Sequence, residues 1–508
     1  MLRILMLVTV LCFSVIFPEL LPAQGIDVTP HSQLVGTEYS ESFGWSVASA
    51  GDVDDDGVLD FIIGSPDSDG GPGLDAGRVT VVSGADGSLL YVIDGESDGD
   101  RFGYAVCGIG DFDSNSQDDF VCGSPNSNAG GTGLDVGRVY GIQSGTNAYQ
   151  FYDGPSDNSR FGESASAAGD VNGDGYADAI IGASGADSAY VISGLDFAVL
   201  YAFTGTAGSE FGVSVGGAGD VNSDGFDDVI VGAPSDDNAA SNAGAAMVYS
   251  GFSGALLYTF EGEENDELGR AVGGAGDVNG DGAEDILIGI PLREEARIYS
   301  GETGALVHSI EVAEAGFGIS LSGIGDADGD GSSDVIIGSE ARFVGIYSGF
   351  TGLSLATFTA PAPSDLGASV SGLGDLDGDG FPEIIIGDPG YTDNQAVGSD
   401  MGMVLVYSLS PAIAPVENFR RGDANQDGGF NIADQIYLLA ALFSGGAVCE
   451  CPDACDQNDD GGVNIADAIY GLAALFSGGT PTPDPGPTNC GGDPTDDALS
   501  ECIYNSSC

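Results

Sequence analysis

One unit recurs seven times along this chain, and that repetition restricts the fold more than any other feature. The unit opens with Phe-Gly or Leu-Gly, continues through a short apolar stretch to Gly-Asp, crosses an acidic loop and ends in an apolar run closed by Gly. It starts at Phe43, Phe102, Phe161, Phe211, Leu268, Phe317 and Leu366, and the first loop Asp recurs every 49 to 59 residues. Each unit holds four strand-like segments. The second, as in FIIGSP or EIIIGD, is apolar throughout and must be covered on both faces. Four short antiparallel strands in about 50 residues describe one blade packed between neighbours, so the expected fold is mainly β, a seven-bladed β-propeller over residues 24–410. Residues 33–44 match the end of a unit and the last unit stops after its third strand. The N-terminal strand is therefore expected to complete blade 7 and leave no open seam.

The acidic loops follow D-x-[DN]-x-[DN]-[GS]-x-x-[DE]. Their side chains are Asp52, Asp54, Asp56, Asp60; Asp111, Asp113, Asn115, Asp119; Asp170, Asn172, Asp174, Asp178; and Asp220, Asn222, Asp224, Asp228. The remaining three sets are Asp277, Asn279, Asp281, Asp285; Asp326, Asp328, Asp330, Asp334; and Asp375, Asp377, Asp379, Glu383. Oxygens at alternate positions beside a turn-forming glycine suit a hard cation that takes six to eight oxygen ligands, which favours Ca2+ over Mg2+. Without a cation the crowded carboxylates repel one another. The reading is one Ca2+ per blade, up to seven. Loop 2 departs most, with Ser116 in place of the glycine and Asn115 in place of an acid.

The Phe-Gly … Gly-Ala-Pro units with these loops resemble FG-GAP repeats, which build the propeller of integrin α subunits. The resemblance spans residues 26–410 and implies extracellular adhesion or ligand binding, with calcium in some of the blades. It names no ligand.

A linker, 411–420, leads to two near-duplicates within 421–478: GDANQDGGFNIADQIYLLAALFSGG and CDQNDDGGVNIADAIYGLAALFSGG. Asp423, Asn425, Asp427, Asn431, Asp434 and Asp456, Asn458, Asp460, Asn464, Asp467 fall at positions 1, 3, 5, 9 and 12 of EF-hand-like loops, a second pair of Ca2+ sites. Ile432, Ile436, Leu439, Phe443 and Ile465, Ile469, Leu472, Phe476 share one face of the following helices. The pair resembles a dockerin, which implies a cohesin-like protein partner. Loop positions 10 and 11, Ile432-Ala433 and Ile465-Ala466, are apolar where that family commonly carries Ser or Thr. Arg421-Gly422-Asp423 spells a cell-attachment tripeptide, but Asp423 is engaged as a loop ligand. Residues 479–508 form a Pro- and Cys-rich tail.

Residues 1–23 read as a secretory signal, with Arg3 before an apolar run at 4–17 and Ala23 as the cleavage position. This predicts a secreted or cell-surface protein, with no membrane insertion after cleavage. Cleavage removes Cys12 and leaves eight cysteines, six of them beyond position 448, an even set suited to disulfides; Cys107 and Cys122 flank loop 2 and are expected to bond. A formal charge of −68, with eleven arginines and no lysine, excludes nucleic-acid binding. Two histidines, His31 and His308, leave no room for a histidine-based triad or zinc site, and no catalytic residue is recognised.

The expected function is a non-enzymatic binding or adhesion protein that takes a protein or glycan ligand on the propeller face opposite the calcium loops. Long connections between second and third strands cluster there, at 67–76, 126–136, 236–243 and 391–400. The alternatives are an extracellular polysaccharide-acting hydrolase or lyase with a dockerin tether, and a structural cell-surface component.

Overall fold

The computed structural model describes residues 19–21, 26–38, 40–70, 73–128, 134–146, 148–392, 401–411, 424, 432–443, 455, 457 and 463–476. The chain divides into two units, Met1–Ala412 and Ile413–Cys508, each described by itself.

The first unit carries seven antiparallel sheets among the described residues, one per repeat. Blade 1 is typical: Ser46–Gly51, Asp60–Ser65, Arg78–Val82 and Leu89–Asp94 pair in chain order from the innermost strand outward. The second strand of every blade is buried at each residue, which explains its uninterrupted apolar sequence. Burying such a Val, Ile or Phe contributes about 1.5–3 kcal/mol per side chain.

Seven hydrophobic clusters result, one between each neighbouring pair of blades. The last joins Phe43, Val47 and Phe61 of blade 1 to Leu373, Ile385 and Val404 of blade 7, so the ring closes through core packing. Closure is completed as expected. Ile26–Val35 pairs antiparallel with Met403–Pro411, from Ile26 opposite Pro411 to Val35 opposite Met403. The closing strand begins earlier than the 33–44 match suggests and is the longest in the ring at 10 residues. Blade 6 bears a fifth strand, because Glu19–Leu21, within the segment read as a leader, pairs with Ser354–Thr359.

Polar ties repeat as well. Ser46, Ser164, Ser320 and Ser369 donate Oγ–H to glycine carbonyls of the following blade at 2.7–2.9 Å, Ser369 reaching Gly44 across the closure. On the outer strands the Tyr201 and Tyr258 hydroxyls donate to the carbonyls of Phe252 and Glu302 in the next blade.

Every innermost strand ends in a β-bulge just before the acidic loop, at Ser49/Gly51, Gly108/Gly110 and the equivalent positions. The bulged glycine holds a positive φ, +79° at Gly51, which accounts for the invariant Gly-Asp of the repeat. The long second-to-third connections return in blades 1, 2, 4 and 7. Each ends on a glycine bridged to the Phe or Leu that opens the next unit: Gly77 to Phe102, Gly137 to Phe161, Gly244 to Leu268 and Gly402 to Phe43.

Cys107 and Cys122 correct an expectation. They lie on paired strands, but Val106 stands opposite Cys122 and Cys107 opposite Val121. The one-residue offset sends the two thiols to opposite faces, into different inter-blade clusters, and both are free.

The second unit holds α1 (Ile432–Phe443) and α2 (Ile465–Phe476) over a small core of Ala424, Leu438, Cys455 and Ala468. Cys455 is disulfide-bonded. Of the shared apolar faces read from the sequence, Leu439 packs against this core and most of the rest does not. Ile432, Ile436 and Phe443 are exposed, as are Ile465, Ile469 and Phe476. Among the described residues the buried positions are Asp434, Gln435 and Leu438 on α1, and Asp467, Ala468 and Gly471 on α2. The last acid of each loop sits in the first turn of its helix and is buried, so the face beside it turns inward and the isoleucines turn out.

Candidate metal centres and the channel mouth

The seven acidic loops share one internal hydrogen-bond plan. The first Asp accepts the N–H groups of positions 5 and 6: Asp52 takes Asp56 at 3.0 Å and Gly57 at 2.9 Å, and Asp375 takes Asp379 at 3.1 Å and Gly380 at 2.9 Å. The ninth-position acid is buried in every blade. In blades 1 to 6 it accepts two backbone N–H bonds, one from loop position 2 and one from the turn after the third strand. For Asp60 these come from Val53 at 2.9 Å and Gly84 at 3.0 Å. The acid is thus tied into the blade before any ligand arrives.

Carboxylate oxygens converge within 4.8 Å of one another at Asp52, Asp54, Asp60; at Asp111, Asp113, Asp119; at Asp326, Asp328, Asp334; and at Asp375, Asp377, Asp379. In blades 3, 4 and 5 the third position is an amide. Asn172, Asn222 and Asn279 donate Nδ2–H to Asp178, Asp228 and Asp285 at 2.9–3.4 Å. Asp170, Asp174, Asp220, Asp224, Asp277 and Asp281 occupy the same positions there as their counterparts elsewhere. Loop 2 keeps the plan despite its substitutions. Ser116 takes φ +75° in place of glycine and still donates its N–H to Asp111 at 2.8 Å. Asn115 spends its amide N–H on the Ser144 carbonyl at 3.2 Å.

Burial pushes the carboxyls of Asp60, Asp119, Asp178, Asp228 and Asp285 up to about 6, with neighbouring loop acids adding to the rise and backbone N–H bonds opposing it. Asp334 and Glu383 are pushed up to about 7. Two buried acceptors, Asp54 Oδ1 and Glu383 Oε1, have no hydrogen-bond partner. Glu383 differs because the third strand of blade 7 runs on to Pro411, and the tight turn that supplies the second N–H elsewhere is not formed. Clustered hard oxygens, orphaned acceptors and raised carboxyls all fit a divalent cation.

In the second unit most of the proposed ligands, Asp423, Asn425, Asp427, Asn431, Asp456, Asn458 and Asp460, lie outside the described residues, as do Arg421 and Gly422. Of the others, Asn464 and Asp467 form a capping box at the start of α2. Asn464 Oδ1 accepts the Ala466 N–H at 2.8 Å, and Asp467 Oδ2 accepts the Asn464 N–H at 2.7 Å. Gln435 donates to Gln457 at 3.0 Å inside the unit.

A feature missed from the sequence links neighbouring loops of the ring. The eighth-position acid of one loop receives the N–H of the preceding loop's first Asp: Asp118 from Asp52 at 2.9 Å, and Asp227 from Asp170 at 2.8 Å. The Asp118 N–H also donates to the Asp52 carbonyl at 2.8 Å, and Ser333 N–H to that of Asp277 at 3.0 Å.

The opposite ends of the innermost strands surround the mouth of the central channel. The residue after each Phe-Gly or Leu-Gly faces it: Trp45, Tyr104, Glu163, Val213, Arg270, Ile319 and Ala368, around a cavity of about 370 Å³. Below lies a channel of about 560 Å³ walled by small residues such as Gly216, Gly273 and Gly323. No repeat signal points to the mouth residues, because they differ in every unit.

An FG-GAP repeat model matches residues 43–82, 161–196, 211–249 and 366–400, within blades 1, 3, 4 and 7. The chain is 34% identical over 155 residues to integrin alpha-5 of Xenopus laevis, covering 29% of this chain and 14% of that protein. It is 34% identical over 179 residues to integrin alpha-PS2 of Drosophila melanogaster, 32% of this chain and 12% of the relative. Integrin alpha-E of Mus musculus is 32% identical over 192 residues, 34% of this chain and 16% of its own length. The likeness spans about a third of this chain and less than a fifth of each of these relatives.

Proposed function

We propose that this chain is a calcium-loaded, extracellular adhesion or ligand-binding propeller, non-catalytic, assembled onto a partner through its C-terminal module. The single observation that carries the reading is the sevenfold placement of an oxygen-rich loop with a buried ninth-position acid at one end of the ring, with the other end left free to vary. Bound Ca2+ would supply positive charge to carboxyls that burial otherwise disfavours. The chain's own contribution is to hold each ninth-position acid rigid through backbone N–H bonds, so a filled loop fixes the turn between the first two strands of its blade. A rigid ring then presents the long connections and the channel mouth to a protein or glycan. The integrin alpha relatives and the FG-GAP match support the adhesion reading. No helix among the described residues is long and apolar enough to cross a membrane.

For the second unit we propose a dockerin-like module with two Ca2+ and a cohesin-like partner. The paired helices with buried loop-end acids Asp434 and Asp467 support it. The test is capture of partners from an extracellular fraction, with calcium and with chelator, using the full chain and an Asp423→Ala/Asp456→Ala variant. A partner lost only with the variant assigns attachment to the module. A partner kept by both but released by chelator assigns recognition to the propeller. Capture of nothing overturns the adhesion reading.

A further inference from the structure

Against a formal charge of −68 the chain has eleven arginines and no lysine, so free positive charge is scarce. One of those arginines, Arg270, lines the channel mouth, and Arg101 and Arg160 each contact residues that line it. Arg101 lies over the rings of Trp45 and Tyr104, at 5.7 and 5.3 Å from their centres, and its Nε–H donates to Asp67 at 3.0 Å. Asp67 also accepts from Ser42. Arg160 pairs with Glu163 at 2.6 Å, and the other oxygen of Glu163 accepts from Ser184. Both acids are therefore occupied. Arg270 lines the same cavity, is exposed, and makes no ion pair or hydrogen bond among the described residues. Trp45, Tyr104, Glu163 and Arg270 line one cavity.

With Arg101 paired to Asp67 and Arg160 to Glu163, Arg270 is the arginine lining this cavity that has no ion-pair partner among the described residues. Its planar fork of donors matches a carboxylate, and Trp45 and Tyr104 line the same cavity from blades 1 and 2. The surroundings restrict the ligand further. A polyanion approaching this molecule meets repulsion from the acidic surface, whereas one carboxylate among neutral or basic groups does not. A uronate polymer carries a carboxylate on every sugar; a protein segment can carry one acid between cations. Resting on the reading of this face as the ligand-binding face, we infer that the channel mouth receives a single Asp or Glu carboxylate of a protein partner, flanked by neutral or basic residues. Arg270 is the fork, and Trp45 and Tyr104 form the wall.

Trp45 is the only tryptophan in the chain and stands at the site, so its fluorescence reports binding directly. The full calcium-loaded chain is titrated with the capped peptide Lys-Gly-Glu-Gly-Lys, with its Gln counterpart and with trigalacturonate. The expected result is a saturable Trp45 response to the Glu peptide, weakened at least about tenfold in Kd by Gln in the peptide and equally by Arg270→Gln. Arg270 is exposed, so calcium binding and the melting temperature of that variant stay unchanged. Equal affinity for the two peptides, undiminished affinity in Arg270→Gln, or no saturable response overturns the inference. A response to trigalacturonate alone overturns the protein partner in favour of a glycan. Partner capture with both chains separates the two levels. A partner taken equally by wild type and Arg270→Gln sinks this inference and leaves the adhesion reading standing, whereas capture by neither sinks that reading and this inference with it.

Discussion

The two ends of the innermost strands follow opposite rules. At one end, seven loops repeat one acidic pattern, the same bulged glycine and a backbone N–H bond from loop position 2 to a buried ninth-position carboxylate. At the other end, seven equivalent positions carry Trp45, Tyr104, Glu163, Val213, Arg270, Ile319 and Ala368, with no residue used twice. Closely similar units at the loop end give each blade nearly the same solution to the same packing problem. Unequal residues at the mouth break the sevenfold symmetry, as recognition of an asymmetric ligand requires. The comparison assigns stability to the repeated end and specificity to the varied one, and each assignment can be broken by experiment.

Removing calcium tests the first assignment most strongly. Several sites that bind only the folded chain add their linkage energies, each about 2.7 kcal/mol at a hundredfold excess over Kd. Differential scanning calorimetry with millimolar calcium and with chelator is expected to show a melting temperature higher by about 10 °C or more with the metal. No shift would sink the metal reading. The same shift is expected in Arg270→Gln, because the mouth does not contribute to it.

A single substitution should reproduce the contrast on a smaller scale. Asp60→Ala removes the acceptor of two buried N–H groups, those of Val53 and Gly84, and should cost about 3 kcal/mol in urea unfolding even in chelator. Val213→Ala, half-buried at the mouth, should cost about 1 kcal/mol or less. Equal costs would erase the distinction between the ends.

The pH dependence follows from the raised carboxyls. In Asp60, Asp119, Asp178, Asp228 and Asp285 the folded value stands near 6 and in Asp334 and Glu383 near 7, above ordinary values of 3.8 and 4.5. Their protonated forms therefore favour the fold. That contribution is complete below the ordinary values and is lost as pH rises through 6 to 7. The calcium-free chain should melt higher at pH 5 than at pH 8. Because calcium needs the ionised forms, the increment it adds should shrink from pH 8 to pH 5. A calcium increment independent of pH would place the ion away from these acids.

The repeated end was legible in the sequence because repetition is itself the signal. Blade count, ring closure and the loop acids are all read from spacing, and among the described residues carboxylate oxygens converge in loops 1, 2, 6 and 7. What escaped was set by geometry that spacing does not encode. Cys107 and Cys122 look like a pair across a loop until a one-residue register offset turns them to opposite faces. Ile432 and Ile436 look like a core stripe until the buried Asp434 fixes which way the helix turns. Arg270 carries no motif at all, and its meaning comes from its place on the mouth cavity, while Arg101 and Arg160 are each already neutralised by an acid of their own.

Asp118 gives the finest version of the comparison, because it distinguishes seven independent loops from linked ones. Its Oδ2 accepts the Asp52 N–H and its own N–H donates to the Asp52 carbonyl, so loop 2 braces the first ligand of loop 1. Asp227 braces Asp170 by one such bond, tying loop 4 to loop 3. Neither acid occupies a ligand position in its own loop, so deleting it removes a brace and leaves every donor in place. Asp118→Ala should weaken calcium at loop 1 by about 1 kcal/mol, a several-fold change in Kd, and leave loops 3 and 4 untouched. Asp227→Ala should do the converse. Chelator-competition titrations of both variants and the double variant decide it. Two separable weakened classes that add in the double variant support pairwise bracing, whereas a loss spread over all seven sites would mean that the repeated end responds as one body.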